Sequence, residues 1–236
     1  KLRQPGMTAR SLIEKSNVEL LCTTDDPADS LEWHRRLAQE GEFKVRVLPA
    51  FRPDRAIALE KPDWKDYLEK LGQAAGIVIK DFAGLVEALE RRMDFFGEMG
   101  CKLADHGLAY IIYEPMGLGE TAWLDGIIEK RLGGREVTLQ EERGYKTALL
   151  TALGRAYAKR DWAMQLHYGV KRDNNARIFA QVGPDAGIDC IRTGAPSWET
   201  ADFLNGLEST GELPRTILYS LNPADNAAIC SIIGCF

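Results

Sequence analysis

The chain has 236 residues, of which 45% are hydrophobic and 28% charged, and its formal net charge at pH 7 is -5. This composition is that of an ordinary globular domain, and the acidic balance argues against a general nucleic-acid binder, which carries a basic excess. No segment reaches the ~20 consecutive apolar residues of a membrane helix, and the first ten residues lack the apolar core of a signal peptide. We therefore expect a cytoplasmic protein without nucleic-acid or membrane partners, folded as a single domain over residues 1–236.

In the first half of the chain, strand and helix patterns alternate. The predicted order is a short helix capped by Thr8, a strand at Val18–Thr24, an amphipathic helix ending at Gly41, a strand at Lys44–Phe51, and two helices ending at Gly76 and Gly100. Asp29 or Ser30 is placed to cap the helix that ends at Gly41. His34 lies in the middle of that helix beside two arginines, and we expect it on the surface.

The second half continues the alternation. The predicted order is a strand at Cys101–Leu108, helices near Thr121–Leu132 and Leu139–Arg160, a strand at Trp162–Gly169, a loop rich in Asn, Gly and Asp, a helix beginning near Ser197, a strand at Arg215–Leu221, and a helix capped by Asn222 with Pro223 in its first turn. The order implies about five parallel strands covered by helices, in an α/β fold. A barrel and a doubly wound sheet both fit.

Two nucleotide-binding motifs are missing. No G-x-G-x-x-G follows the first predicted strand, so dinucleotide binding has little support. The "GLGETAW" segment that begins at Gly117 lacks both a preceding buried strand and the Lys-Ser/Thr pair of a phosphate loop. We do not expect it to cradle a phosphate.

The cysteines and the chain ends give two further expectations. The five cysteines form no C-x-x-C pair and three lie in apolar runs, which predicts reduced, mostly buried thiols rather than a disulfide framework or a zinc–thiolate site. The first residue is Lys1 rather than Met, and the last ten residues are strongly apolar, whereas natural termini are usually polar. We expect a segment of a longer chain.

Each predicted strand ends in polar or ionisable residues. They are Asp25 and Asp26, Arg52 and Asp54, Asp105 and His106, His167, and Asn222. Parallel strands of a barrel or an open sheet place such ends on one face, where active sites form. The alternatives are structural: Asp25, Asp26 and Asn222 as helix caps, Arg52 as a solvated loop residue, Asp105 and His106 as a turn pair, and His167 as a core histidine.

The residue types suit a sugar acid. Arg52 and Arg172 offer planar guanidinium forks for a carboxylate, and Asn174 can bond to hydroxyls. His167 can bind a metal or shuttle a proton near neutral pH. Asp105 can orient His106 or polarise a substrate hydroxyl.

Six blocks in order resemble the uronate isomerases, also called glucuronate isomerases. They are "CTTDDPADSLEWH", "VLPAFRPD", "CKLADHGL", "AMQLHYGVKRDNNARIF", "GPDAGID" and "TILYSLNPADN". The resemblance implies a distorted (β/α)₈ TIM-barrel-like fold of the amidohydrolase superfamily, incomplete here, and an aldose–ketose isomerisation of a hexuronate. D-glucuronate would give D-fructuronate, and D-galacturonate would give D-tagaturonate.

The resemblance also implies residue roles. Arg52 would contact the substrate, His167 would lie at the metal-proximal strand end, and Asp105, His106, Arg172 and Asn174 would line the pocket. We take His167 and Asp105 as catalytic, the other four as substrate-binding, and His167 as one ligand of a divalent metal, zinc by preference.

The chain departs from the family in length and in metal ligands. Family members are about twice as long, and neither their His-x-His motif nor their late-strand Asp is present, so this chain resembles about strands two to six of eight. We expect weak or no turnover by the chain alone, and self-association into a homo-oligomer that covers the open sheet edges. A metal-dependent hydrolase of the same superfamily and a non-catalytic sugar-acid binding module remain alternatives.

Overall fold

The computed structural model describes residues 3–4, 6–115, 120–194 and 196–236. Its strands are β1 Leu20–Cys22, β2 Arg46–Leu48, β3 Leu103–Gly107, β4 Ala163–Tyr168, β5 Val170–Lys171, β6 Cys190–Ile191 and β7 Thr216–Ser220. Its helices are α1 Ala9–Lys15, α2 Glu32–Glu40, α3 Asp54–Ile57, α4 Trp64–Ala75, α5 Phe82–Glu98, α6 Glu120–Leu132, α7 Leu139–Lys159, α8 Ala176–Val182, α9 Ser197–Glu208 and α10 Asn226–Ile233, with a 3-10 turn at Pro223–Asp225.

Five strands lie side by side in the order in which they occur in the chain. β1 pairs with β2, and β3, β4 and β7 form a second group, all in parallel. Two parallel bridges, Asp25 to Phe51 and Phe51 to Ala104, join the two groups. Parallel strands in chain order with helical crossovers are the arrangement of a (β/α)₈ barrel wall. The five predicted parallel strands are confirmed, each shorter at both ends than the sequence predicts.

The segment between β4 and β7 is more ordered than the sequence predicts. The predicted Asn-, Gly- and Asp-rich loop contains α8 and a small antiparallel hairpin in which Val170 pairs with Ile191. Two-residue strands and a seven-residue helix are too short to give a clear hydrophobic period. The short helix α3, which begins at Asp54, was missed for the same reason.

Helix ends follow the predicted chemistry with one exception. Gly41 and Gly76 end α2 and α4 in the left-handed conformation, with φ of 66° and 70°. The exception is the start of α2, where Leu31 occupies the N-cap in the left-handed region without a side-chain cap. Asp29 instead accepts a hydrogen bond from the Leu31 amide at 2.7 Å, so its carboxylate closes the preceding turn.

Phe51 lies at the centre of an aromatic core between the sheet and its helices. Its fully buried ring meets those of Phe96, Trp162 and Tyr157 edge-on, at centroid distances of 5.2, 6.0 and 6.4 Å. Edge-to-face packing of this kind adds to the stabilisation from burial. The core therefore lies directly beneath Phe51, in the segment that follows β2 and precedes Arg52.

Two burial predictions were wrong. Cys101 is buried, but Cys22, Cys190, Cys230 and Cys235 are exposed. Cys22 lies on β1, which pairs on one side only among the described strands, so an apolar run there lacks a covering layer. His34 is buried rather than exposed, because α2 packs on β2 and the His34 ring contacts Thr23, which follows β1.

The described part of the chain contains no helix that is both long enough and apolar enough to cross a membrane.

Candidate active site

The strand register brings the polar strand ends to one edge. His167 on β4 pairs with Gly107 on β3 and with Tyr219 on β7. Arg52 follows Phe51, which bridges Ala104 one residue before Asp105. The carboxyl ends of three adjacent strands therefore converge with the end of β2, as the polar-end pattern predicts.

Arg52 joins two carboxylates. Its Nε lies 3.0 Å from Asp54 Oδ2 and its Nη1 lies 3.4 Å from Asp105 Oδ2. The Arg52 side chain is 29% exposed, so it is held by protein groups yet accessible to a ligand. The two aspartates fix the plane of the guanidinium, and Nη2 is the nitrogen that neither of them contacts.

His167 and Asp105 form a close pair. Nε2 of His167 lies 2.8 Å from Asp105 Oδ1, and the imidazole stacks on the Tyr219 ring with a centroid distance of 4.3 Å and an interplanar angle of 15°. The Asp105 side chain is 10% exposed and that of His167 is 45% exposed. The buried carboxylate and the aromatic ring together orient an imidazole that is accessible to a ligand.

His106 is fully buried behind Asp54. Its Nε2 lies 3.1 Å from the Tyr157 hydroxyl and its Nδ1 lies 3.3 Å from Asp54 Oδ1. If Tyr157 donates to Nε2, the ring proton is on Nδ1 and faces the Asp54 carboxylate. With both nitrogens facing protein groups, His106 is placed to support Asp54. Its predicted contact with substrate stays a prediction.

Asp54 links three parts of the site, although the sequence pointed to it only as a strand-end residue. Besides Arg52 and His106, its Oδ2 accepts a hydrogen bond from the Gly107 amide at 2.7 Å. Burial raises the pKa of the Asp54 carboxyl, but His106, the Gly107 amide and Arg52 outweigh this effect and hold that pKa below its usual range. The ionised form is therefore the stable one.

This pKa predicts a pH-dependent contribution to stability. A carboxyl whose pKa is lower in the folded than in the unfolded state stabilises the fold at neutral pH and loses that contribution as pH falls through its folded value. We expect Asp54→Asn to flatten the decline in the free energy of unfolding below about pH 4, the unfolded pKa of Asp. Urea titrations at a series of pH values measure the free energy of unfolding of each variant. Asp161→Asn, at a side chain that is 89% exposed, is the control. Acid limbs that run parallel for wild type and Asp54→Asn would contradict this expectation.

Arg172 and Asn174 lie on the hairpin side of the site. Arg172 Nη1 lies 2.8 Å from Asp189 Oδ2. It shares with Asp54 and Gly107 the wall of a cavity of about 520 Å³. Asn174 does not line that cavity, and its amide nitrogen contacts the Cys190 thiol instead. The structure thus brings Arg172 toward the strand-end cluster and leaves Asn174 outside it.

The remaining strand-end residues are structural. Asn222 Oδ1 accepts from the Ala224 amide and caps the turn that starts at Pro223, which confirms its capping interpretation. Asp26 accepts from the Ala28 amide within a turn, and Asp25 accepts from the Ala50 amide. Neither caps the following helix α2, whose N-cap is Leu31, so the capping interpretation of these two residues was wrong. Residues Gly117 to Gly119 of the "GLGETAW" segment lie outside the described residues, so the prediction made for the segment stays untested.

Two aromatic members of the site gave no clear signal in the sequence. Tyr157 lies on α7 among helical apolar residues, and Tyr219 lies within the strand pattern of β7. Both read as ordinary core positions, and only the fold places them against His106 and His167.

The sequence model of the glucuronate isomerase family matches residues 1–236, the whole of this chain. This chain belongs to the glucuronate isomerase family. The resemblance drawn from its six sequence blocks is therefore confirmed.

Curated relatives agree with the family. A uronate isomerase of Lachnoclostridium phytofermentans is 54% identical over all of this chain and 50% of its own length, and one of Lachnospira eligens is 51% identical over the same shares. The chain thus spans about half the length of these glucuronate isomerase relatives.

Solved structures confirm the fold. A crystal structure of uronate isomerase from Thermotoga maritima superposes with a TM-score of 0.89 at 33% identity, over 98% of this chain and 50% of that one. A glucuronate isomerase structure from Caulobacter crescentus gives 0.81 at 23% identity, over 95% and 46%, which shows the fold alone. The expected TIM-barrel-like fold, present in part, is confirmed.

A protein metal site needs several His, Cys, Asp or Glu side chains that converge on one point. Among the described residues, no three His, Cys, Asp or Glu side chains converge where they could hold a metal ion. His167 Nε2, the nitrogen closest to other donors, is engaged by Asp105. The described residues of this glucuronate isomerase family member do not by themselves fit a metal centre.

Proposed function

We propose that this chain supplies the substrate clamp and a proton-transfer pair of a uronate isomerase that converts D-glucuronate to D-fructuronate and D-galacturonate to D-tagaturonate. The observation that carries the proposal is the Arg52–Asp105–His167 cluster, in which one buried carboxylate contacts both an anion-binding fork and an accessible imidazole. The glucuronate isomerase family match favours this activity over the hydrolase and the binding module that the sequence left open.

The chemistry asked of the cluster is a proton transfer. A base removes the proton from C2 of the aldose, the C2–H electron pair forms the C1–C2 double bond, and the C1–O1 π pair moves onto O1 to give a cis-enediolate. O1 then takes up a proton. Loss of the O2 proton then restores a carbonyl at C2, and C1 receives a proton. Imidazole side chains are common acid–base groups in proton transfer, and the contact of His167 with Asp105 orients its ring.

Arg52 has the substrate-binding part in this scheme. Its guanidinium, held by Asp54 and Asp105, binds the sugar carboxylate and fixes C1 and C2 beside His167. His106 and Tyr157 hold Asp54 from behind. Arg172, on the wall of the cavity that Asp54 and Gly107 also line, meets the sugar from the hairpin side, and Asn174, outside that cavity, has no part in this scheme.

In this proposal, the part of the barrel that the relatives have beyond the matched half completes the site. β1 and β7 each pair on one side only among the described strands, and Ile217, Tyr219 and Leu221 are exposed. The remaining barrel strands, or a second copy of the chain, would cover these surfaces. If His167 binds a divalent metal such as zinc, its other ligands come from those added parts.

The test compares the chain alone with a chimera in which it replaces the matching half of the Lachnoclostridium phytofermentans relative. We expect the chimera to interconvert glucuronate and fructuronate and the chain alone to show no measurable turnover, because half a barrel lacks part of the site. Circular dichroism and gel filtration establish that both are folded. A folded chimera without isomerase activity would refute the proposed function, and turnover by the chain alone at the relative's rate would refute the division of the site.

Isotope transfer distinguishes the step within that function. In tritiated water we expect label at C1 of the fructuronate formed by the chimera, because the transferred proton passes through an exchangeable group. Complete retention of a C2 deuterium at C1, together with no solvent label, would favour hydride transfer instead.

A further inference from the structure

A second hydrogen-bonded chain lies one strand away from the proposed site, at the carboxyl end of β1. Thr23 Oγ1 lies 2.6 Å from Asp25 Oδ2 and 2.7 Å from His34 Nε2. The His34 side chain is only 9% exposed although it comes from α2. None of these three residues contacts the Arg52–Asp105–His167 cluster through its side chain in the described structure, so they have another role.

The chemistry of the three groups assigns the protons. An ionised Asp25 only accepts, so the single Thr23 hydroxyl proton points to its carboxylate. His34 Nε2 must then carry a proton and donate it to Thr23 Oγ1. Nδ1 of His34 is left buried without a hydrogen-bond partner among the described residues. Such an atom in a folded protein calls for an explanation.

The last member of this hydrogen-bonded series, Asp25, contacts the backbone on both sides of Phe51, next to Arg52. Asp25 holds the end of β2 with three hydrogen bonds. Its amide donates to the Ala50 carbonyl at 3.0 Å, its Oδ2 accepts from the Ala50 amide at 3.2 Å, and its carbonyl accepts from the Arg52 amide at 2.9 Å. These bonds lie on either side of Phe51, whose ring is locked in the core. The orientation of the Asp25 carboxylate therefore bears on the place where Arg52 leaves the sheet.

We propose that His34 and Thr23 are positioning residues for Arg52, acting through Asp25. The inference rests on the proposed function insofar as Arg52 is taken to bind the sugar carboxylate. The Thr23 hydroxyl and the His34 imidazole hold the Asp25 carboxylate against the Ala50 amide. This contact fixes the backbone position from which the Arg52 guanidinium reaches both Asp54 and Asp105.

The test uses matched variants in the chimera. Thr23→Val keeps the shape of the side chain and removes the hydroxyl, whereas Thr23→Ser keeps the hydroxyl. We expect Thr23→Val to raise the KM for glucuronate about tenfold with a smaller effect on kcat, since a sub-ångström displacement of a binding group has effects of this order. Thr23→Ser should restore most of the loss. His34→Phe should resemble Thr23→Val, and His34→Gln, which retains a nitrogen donor, should recover part of it.

A double-mutant cycle tests the path to Arg52. In the Arg52→Lys background, where the fork is already lost, Thr23→Val should have little further effect on KM. An unchanged KM in folded Thr23→Val, or effects that add fully in the double variant, would overturn the proposal.

Hydrogen exchange at the Arg52 amide separates this proposal from the proposed function. That amide donates to Asp25, so Thr23→Val should speed its exchange while amides in α7 keep their wild-type rates. Faster exchange in a chimera that has no isomerase activity would uphold the positioning contact and refute only the function. Unchanged exchange would refute the positioning contact whatever the activity.

Discussion

Replacing Asp105 by asparagine is expected to lower kcat/KM of the chimera by about 10²–10⁴-fold, the range over which positioned acid–base groups contribute. Asp105 lies between His167 Nε2 and Arg52 Nη1, so removing its charge leaves an imidazole and a guanidinium without their shared partner. The NH2 group of an asparagine at this position would also face either Arg52 Nη1 or His167 Nε2, where the wild type has a carboxylate oxygen. We expect most of the loss in kcat, because His167 loses the carboxylate that orients its ring.

The measurement is steady-state kinetics as a function of pH on the folded variant. Asp94→Asn is a suitable control, because the Asp94 side chain is 67% exposed and pairs with Arg160, which is not part of the cluster. A kcat within a few-fold of wild type, with an unchanged pH profile, would show that His167 does not depend on Asp105.

Replacing Gly107 by alanine is expected to raise the KM for glucuronate by about 10–100-fold while changing stability little. An alanine Cβ at this position would overlap the Arg52 Nη2 atom and come within 3.3 Å of Asp54 Oδ2. Nη2 is the far end of a flexible side chain, so the guanidinium moves and the backbone stays. A displacement of about 1 Å in a group that positions substrate is enough for an effect of this size.

Gly126→Ala on α6 is the matched control, since an added Cβ there meets no atom within 4 Å. We expect its KM to equal that of wild type and its thermal midpoint to rise slightly, because Ala favours a helix over Gly. The expectation for Gly107 fails if its alanine variant binds substrate normally, or if it loses activity only by unfolding.

The two variants also distinguish the parts of the cluster. Asp105→Asn acts on the His167 side and should change kcat, whereas Gly107→Ala acts on the Arg52 side and should change KM. An equal change of both parameters in both variants would indicate that the clamp and the proton-transfer pair work as one unit.

Much of this site could be read from local pattern. Arg52, Asp105 and His167 were found because each follows a short β-rich apolar run, and parallel strands between helices present such ends on one face. The caps at Gly41 and Asn222 were found because left-handed backbone and exposed helix amides select particular residues. These features depend on neighbours close in the chain, which a sequence displays directly.

The partnerships among those residues depend on contacts between distant segments. Asp54 meets the Gly107 amide across 53 positions, and His106 meets Tyr157 across 51. Strand register and the packing of α7 set these distances, and neither leaves a periodic signal in the sequence. For the same reason His34 was expected on the surface: local charge suggested exposure, whereas the packing of α2 toward the first strands buried it. Residue type and spacing thus predicted which side chains lie at the strand ends. Long-range packing determined which of these side chains contact each other and which remain accessible to a ligand.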